Sequence, residues 1–153
     1  MNEIKIAENK KVTFGNVISR MLEGVDEETI QKSAKMFESY LKKENLKPYG
    51  PIIIRDTTRQ IGKEQTHDSE MLIQMKEKPE SVPNPYGLEE EIVLKNCLMA
   101  RYDGPVDKLI LAYSKMQIYA FEHDMTLGPV YYTVLTPSEE GDDFVADIFN
   151  EVL

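Results

Sequence analysis

Two stretches of the chain decide its fold: YGPIIIR at residues 49–55 and LGPVYYTV at residues 127–134. Each places a Gly-Pro pair directly before an apolar, β-branched run. Glycine and proline end helices, and the run that follows is typical of a buried strand. The same helix-to-strand junction therefore occurs twice, which indicates an internal repeat.

The elements around the first junction are predicted in the order β-α-β-β. We expect a strand over residues 11–21, a helix capped by Asp26, and strands over 51–58 and 67–77 that are separated by a turn at Gly62. The helix shows apolar residues at alternating three- and four-residue steps, which is the spacing of one buried face. These residues are Ile30, Ala34, Phe37 and Leu41.

The second junction has the same surroundings. A strand is predicted over residues 89–102, a helix from Pro105 to about His123, and strands over 130–135 and 144–153 joined by the polar turn TPSEEGDD. The apolar stripe of this helix is Val106, Leu109, Tyr113, Met116 and Ala120. Residue-level alignment places Asn16 over Asn96 at an offset of 80 residues.

These patterns predict one α+β domain over residues 1–153. Repeat one (11–76) and repeat two (90–153) are joined by a proline-rich connector (77–89). A single β-α-β-β unit buries too little surface to be stable alone. We therefore expect a tandem β-α-β-β repeat with pseudo-twofold symmetry, an antiparallel sheet and the two main helices on one face.

Charge and composition narrow the function. The 153 residues carry 18 Lys+Arg and 27 Asp+Glu, a formal net charge of −9. An acidic chain without a basic stripe is not expected to bind nucleic acid or a membrane surface. Cys97 is the single cysteine, and the N-terminus shows no leader or spanning segment, so a cytoplasmic location is predicted.

No sequence motif for dinucleotide, nucleotide triphosphate, zinc or nucleophilic-serine chemistry is present. His67 lies in a polar strand entry, and His123 is placed for a favourable contact with the end of the second helix. Cys97 has no cationic neighbour that would activate it, so we interpret it as an inert core thiol. The prediction is a protein without catalytic residues, metal ligands or cofactor.

Tyrosines are concentrated in the second repeat. On the strand after Gly128-Pro129, Tyr131 and Tyr132 point to opposite faces, so at least one of the two rings lies on the side without a helix. Together with a carboxylate such as Asp147, rings of this kind can hold an amphipathic or cationic molecule. The alternative is that they seal the edge of the core. The candidate ligand-binding residues are Tyr131, Tyr132, Asp147, Tyr113 and Tyr102.

With its repeat, its Gly-Pro junction, VYYTVL and DFVADIFNEVL, nearly the whole chain resembles the GyrI-like small-molecule-binding domains. These are also the effector-binding domains of multidrug-responsive transcription activators. By position, Gly128-Pro129 matches the family junction, Tyr132 the strand tyrosine and Asp147 the acid of the closing strand. Many family members have a glutamate just before that tyrosine, where this chain has Tyr131, and the proline common in their final strand is absent here.

The resemblance implies a stand-alone, bacterial, non-catalytic module that binds an effector in an aromatic-lined cleft between the repeats. A second hypothesis is a protein-interaction factor, such as an accessory to a bacterial machine or an enzyme inhibitor. A third is a hydrolase of reactive electrophiles, as in some relatives, using Tyr132 with Asp147 or Glu70. Exposed edge strands also allow a homodimer.

Overall fold

The computed structural model of the protein describes residues 4–22, 27–137 and 144–153. Its elements are, in chain order, β1 (Ile4–Met21), α1 (Glu27–Lys43), β2 (Ile52–Ile61), β3 (Glu64–Gln74), β4 (Tyr86–Gly104), α2 (Ile110–Glu122), β5 (Val130–Pro137) and β6 (Phe144–Glu151). The pairs β1–β3, β2–β3, β4–β6 and β5–β6 are antiparallel. The predicted α+β class with two main helices is confirmed.

The chain divides into two compact units. The α1 unit comprises Thr13–Ile92, and the α2 unit comprises Met1–Val12 together with Val93–Leu153. Both divisions fall inside a long strand, β1 or β4, so each of these strands contributes residues to both units. The predicted single domain with repeats over 11–76 and 90–153 stays a prediction.

In the α1 unit, the apolar stripe of α1 packs on the sheet formed by β1, β3 and β2. Phe37 is fully buried, and Leu41 lies one turn further along the same core. Their partners are Ile18 of β1 and Met71 and Ile73 of β3. Burying one such side chain contributes about 1.5–3 kcal/mol. Of the predicted stripe, Ala34, Phe37 and Leu41 are confirmed, and the Ile30 side chain lies outside the described residues.

In the α2 unit, the buried side chains of α2 are Ala112, Met116 and Ala120. They pack on Leu98 of β4 and Ile148 of β6. The predicted stripe is confirmed for Leu109, Tyr113, Met116 and Ala120, and the Val106 side chain is not described. The predicted helix start is wrong by one turn: Val106–Lys108 form a 3₁₀ turn, a common lead-in to a helix.

A left-handed asparagine lies within the strand before each helix. Asn16 has φ 50° and Asn96 has φ 51°, and these are the two asparagines that the sequence alignment superposes. The Met75 amide donates to the Asn16 carbonyl at 2.9 Å, and the Val152 amide donates to the Asn96 carbonyl at 3.1 Å. Asparagine adopts this conformation at lower cost than most residues, so the backbone explains both choices.

The two helices also end alike. Asn45 (φ 54°) and Asp124 (φ 56°) take the left-handed conformation just after the last turn. The next amide then bonds back to the carbonyl five residues earlier, which is the long bond of a Schellman motif. These bonds are Leu46 N to Leu41 O at 2.9 Å and Met125 N to Ala120 O at 2.8 Å.

The second Gly-Pro junction is fastened to β6 by the fully buried Asn150. Its Nδ2 donates to the Gly128 carbonyl at 3.0 Å, and its Oδ1 accepts from the Gly128 amide at 2.9 Å. A Cβ at position 128 would lie 3.2 Å from the Glu151 carbonyl oxygen. Gly128 is therefore required because the Glu151 carbonyl lies so close to its Cα. Gly50 is required for a different reason, its φ of 89°.

Several predicted boundaries differ from the structure. β1 begins at Ile4 rather than at residue 11, because Ile4 and Ile6 pack on the core of the α2 unit although charged residues surround them. β4 begins at Tyr86, so the proline-rich connector ends earlier than predicted. The Asp26 cap and residues 138–143 of the predicted turn lie outside the described residues. None of the helices described is long and apolar enough to cross a membrane.

Candidate functional site

The five residues predicted to bind a ligand lie on two opposite faces of the α2-unit sheet. Tyr102, Tyr113 and Tyr131 lie on the side covered by α2. Tyr132 and Asp147 lie on the side facing away from α2, as the alternation of β5 and β6 requires. The structure therefore does not bring the five residues into one cluster, and the predicted split of Tyr131 and Tyr132 between faces is found.

The three tyrosines under α2 are held by contacts within the core. Tyr102 is 3% exposed, and its hydroxyl donates to the Pro105 carbonyl at 2.7 Å. The Tyr113 hydroxyl is bonded to the buried Thr133 side chain. Tyr131 stands edge-on to Tyr113, with 5.3 Å between ring centroids. These contacts match the alternative given above, in which the rings seal the core.

The opposite face carries two aromatic residues and an ion pair, and we call it the strand face. It contains Tyr132, Phe149, Asp147 and Arg101; Tyr132 is directly opposite Phe149, and Arg101 is directly opposite Asp147. Arg101 Nε contacts Asp147 Oδ1 at 2.7 Å, and Nη2 contacts Oδ2 at 3.1 Å. This hydrogen bonding, with the carboxylate charge, raises the pKa of Arg101. The charge of Asp147 is thus already balanced by a side chain that is 56% exposed.

The α1 unit carries an open groove that the sequence patterns did not predict. This α1 groove encloses about 480 Å³ along the outer side of α1. Its lining has an apolar part, Met36, Tyr40 and Tyr86, and a basic part, Lys32, Lys35 and Lys43. Tyr40 and Tyr86 are stacked, with centroids 4.1 Å apart and planes 17° apart. Burial, then the charge of Glu44, raises the pKa of Tyr40.

One signal for this groove was present in the sequence. Lys32, Met36 and Tyr40 recur at four-residue steps, and Lys35 lies three residues after Lys32, so they share a helix side away from the buried stripe. The lining residue that does not come from α1 is Tyr86, at the start of β4, and only the tertiary structure places it against the helix.

Arg20 lies under the lining of the α1 groove. It is 8% exposed. Its Nη1 donates to the Tyr86 hydroxyl at 3.3 Å, its Nη2 lies 4.0 Å from Met36 Sδ, and its guanidinium carbon lies 5.4 Å from the centre of the Tyr86 ring. Its Nε is buried and has no hydrogen-bond partner. Among the side chains that the structure describes, no carboxylate is paired with this guanidinium.

The remaining candidate groups have structural surroundings. Cys97 is fully buried, and burial raises its pKa to about 11. His123 caps the end of α2, with Nδ1 2.8 Å from the Tyr119 carbonyl and its ring stacked on Tyr119. His67 lies in β3, and its Nδ1 is 3.3 Å from the Thr58 Oγ1 of β2. Among the residues described, no three His, Cys, Asp or Glu side chains are placed to share a metal ion.

Glu70, one of the two acids considered for a hydrolase, is held by Arg55 of β2. The same guanidinium contacts both carboxylate oxygens of Glu89, at 2.9 Å and 3.3 Å. Two carboxylates thus share one partly buried cation.

The protein resembles several solved structures in its fold. No known protein family matches the sequence, and no curated protein matches it. The C-terminal domain of EcmrR is similar in structure, with a TM-score of 0.70, 14% identity, and coverage of 100% of this chain and 98% of that domain. In a complex of EcmrR with DNA the score is 0.69 at 14% identity, and the match covers 99% of this chain but 57% of the EcmrR chain.

Two other solved structures share the fold at lower similarity. SAV2435 bound to tetraphenylphosphonium has a TM-score of 0.52 and 11% identity, covering 99% of this chain and 94% of that one. A hydrolase from Listeria innocua has a TM-score of 0.52 and 7% identity, covering 99% and 92%. At these identities the likeness concerns the fold alone, which agrees with the GyrI-like fold expected from the sequence.

Proposed function

We propose that the protein is a non-catalytic module that binds a small amphipathic molecule on the strand face. The observation that carries the proposal is the placement of Tyr132 and Phe149 beside the Arg101–Asp147 pair on the side of the sheet away from α2. The shared fold supports the proposal. The C-terminal domain of EcmrR has this fold, and so does SAV2435, whose structure contains bound tetraphenylphosphonium. In the resemblance to the GyrI-like domains, Tyr132 corresponds to the strand tyrosine and Asp147 to the acid of the closing strand.

The chemistry of this face predicts its ligand preference. The ring of Tyr132 supplies an apolar wall and a π face, which attracts a cation by about 0.5–2 kcal/mol. Asp147 adds negative charge only where Arg101 moves away from it. Because Arg101 is more than half exposed, it can turn into solvent at small cost. We therefore expect neutral amphipathic molecules to bind without rearrangement and cations to bind as they displace Arg101.

The test measures tetraphenylphosphonium binding by isothermal titration calorimetry, with neutral triphenylphosphine oxide as the uncharged comparison. Tyr132→Ala is expected to weaken both ligands about three- to thirtyfold. Arg101→Gln is expected to strengthen binding of the cation alone, and Asp147→Asn to weaken it alone. Tyr49→Ala, at an exposed tyrosine of the other unit, is the matched control and should change neither. Equal affinities in all four variants, or no binding of either compound, would overturn the proposal.

A second candidate function, self-association, rests on the outer side of α2. Four large apolar side chains are exposed on one side of this helix: Ile110, Leu111, Ile118 and Phe121. Phe121 is 84% exposed. Contiguous exposed apolar patches on soluble proteins commonly mark interaction sites. The stripe contains no charge that would oppose its own copy, so we propose a second copy of this chain as the partner.

Light scattering after size-exclusion chromatography tests this second candidate. A concentration-dependent dimer is expected, and Ile118→Ser with Phe121→Ser should make it monomeric. Leu153→Ser, which removes another exposed apolar side chain away from α2, is the control and should leave the dimer intact. A monomer at all concentrations in the unmodified protein would rule this candidate out.

A further inference from the structure

The α1 groove is basic although the chain as a whole is acidic. The net charge is −9, yet the ionisable side chains that line the groove, apart from tyrosines, are Lys32, Lys35 and Lys43. Across the described residues none of these lysines takes part in an ion pair. Acidic residues also lie on or just after this helix: Glu28 one turn before Lys32, Glu38 next to Ser39 in sequence, and Glu44 beside Tyr40. With Arg20 included, four basic side chains line or underlie the groove.

Arg20 adds the second observation. A guanidinium that is more than nine-tenths buried normally has a carboxylate or several acceptors around it, because burying an unpaired charge is costly. The contacts of this guanidinium with described residues are the Tyr86 hydroxyl, the Tyr86 ring and the Met36 sulfur, and its Nε has no hydrogen-bond partner among them. Two of the side chains that it touches, Met36 and Tyr86, line the groove. A negative charge in the groove would therefore be attracted by Arg20 as well as by the lysines.

We propose that the α1 groove binds a small amphipathic organic anion. The apolar body of the ligand lies against Met36, Tyr40 and Tyr86, and its carboxylate, sulfonate or phosphate group lies among the lysines. This site differs from the strand face in its unit, its residues and the charge of its ligand, so it goes beyond the function proposed above.

The spacing along α1 sets the size of the ligand. Lys32 and Lys35 are within one turn, Met36 lies one turn beyond Lys32, and Tyr40 lies one turn beyond Met36. At a rise of about 1.5 Å per residue, the distance along the helix from Lys32 to Tyr40 is roughly 12 Å. An acidic group bound near Lys32 and Lys35 thus carries a body of about two fused rings that reaches Tyr40. Lys43, near the end of α1, contributes at longer range.

Naphthalene-2-sulfonate is the probe, and naphthalene-2-sulfonamide is its neutral analogue. Calorimetry of the unmodified protein should give measurable binding of the sulfonate and at least tenfold weaker binding of the sulfonamide. Replacing Lys32, Lys35 and Lys43 with Gln together should weaken the sulfonate about tenfold, given the modest worth of each exposed charge contact. The matched control replaces Lys63, Lys95 and Lys108 with Gln, which changes the net charge equally at exposed positions outside the groove.

Two further variants separate this site from the others. Arg20→Met should weaken the sulfonate about threefold without changing the sulfonamide, and Tyr132→Ala should change neither. Circular dichroism confirms that each variant is folded, and amide chemical shifts in the unmodified protein should move along α1 and at Tyr86. The proposal is overturned if the sulfonate does not bind, if the sulfonamide binds equally well, or if the control variant loses as much affinity as the groove variant.

Discussion

Asn150 tests how the second Gly-Pro junction is held in place. In Asn150→Ala the Gly128 amide keeps its bond to the Glu151 carbonyl at 2.9 Å, but the Gly128 carbonyl loses the Asn150 donor. An unsatisfied buried acceptor costs about 1–3 kcal/mol, and the space left by the amide group adds about 1 kcal/mol. We expect a loss of about 2–4 kcal/mol in the free energy of unfolding.

Urea denaturation followed by circular dichroism measures this loss, and thermal unfolding should shift by roughly 5–15 °C. Asn150→Asp keeps the shape and the acceptor of the side chain but buries a negative charge against the Gly128 carbonyl, so at neutral pH it should lose more than the alanine variant. Gln117→Ala, at an exposed position of α2, is the control and should change stability by less than about 0.5 kcal/mol. A loss below about 1 kcal/mol in Asn150→Ala would refute the idea that the Asn150–Gly128 hydrogen bonds hold the junction in place.

Three further outcomes are expected. Arg20→Met should stay within about 1 kcal/mol of the unmodified protein in urea denaturation, because an unpaired buried charge contributes little net stability; a loss above about 3 kcal/mol would mean that Arg20 has an anionic partner. The raised pKa of Cys97 means that the folded state holds the thiol proton more tightly than the unfolded state. Its contribution to stability is therefore complete below about pH 8.5 and is lost as the pH rises towards 11; Cys97→Ala should remove this slope, and an unchanged slope would assign it to other groups. Asn96→Val should cost about 1–2 kcal/mol because valine resists a φ of 51°, whereas Asn96→Gly should be tolerated, and equal losses in the two variants would contradict the backbone explanation.

Local sequence signals predicted most of the fold. The Gly-Pro pairs, the three- and four-residue spacing of Phe37 and Leu41, and the β-branched runs each report on a single element, so their meaning does not depend on the rest of the chain. The first strand was predicted too short because its start, IKIAENKK, is mostly polar. Ile4 and Ile6 pack on a core formed by residues more than 90 positions later, a contact that local sequence patterns do not report.

The candidate sites were harder to predict. Alternation along β5 separates Tyr131 from Tyr132, but it cannot say which of the two faces α2, since that depends on how the helix packs. The ion-pair partner of Asp147 cannot be predicted from local sequence either. Arg101 lies 46 residues away and is placed opposite Asp147 by the register of β4 and β6. The α1 groove needs Tyr86, which the sequence places in a proline-rich connector.

The division of the chain inside β1 and β4 has a consequence for synthesis on the ribosome. The α1 unit, Thr13–Ile92, is continuous in sequence, so all of its residues can leave the exit tunnel while the rest is still being translated. The α2 unit is discontinuous: Ile4 and Glu8 contact residues more than 100 positions later, Lys115 and Tyr119. Ile4 and Glu8 therefore cannot make these contacts until Lys115 and Tyr119 have been synthesised, whereas the α1 unit is complete in sequence once Ile92 has been added.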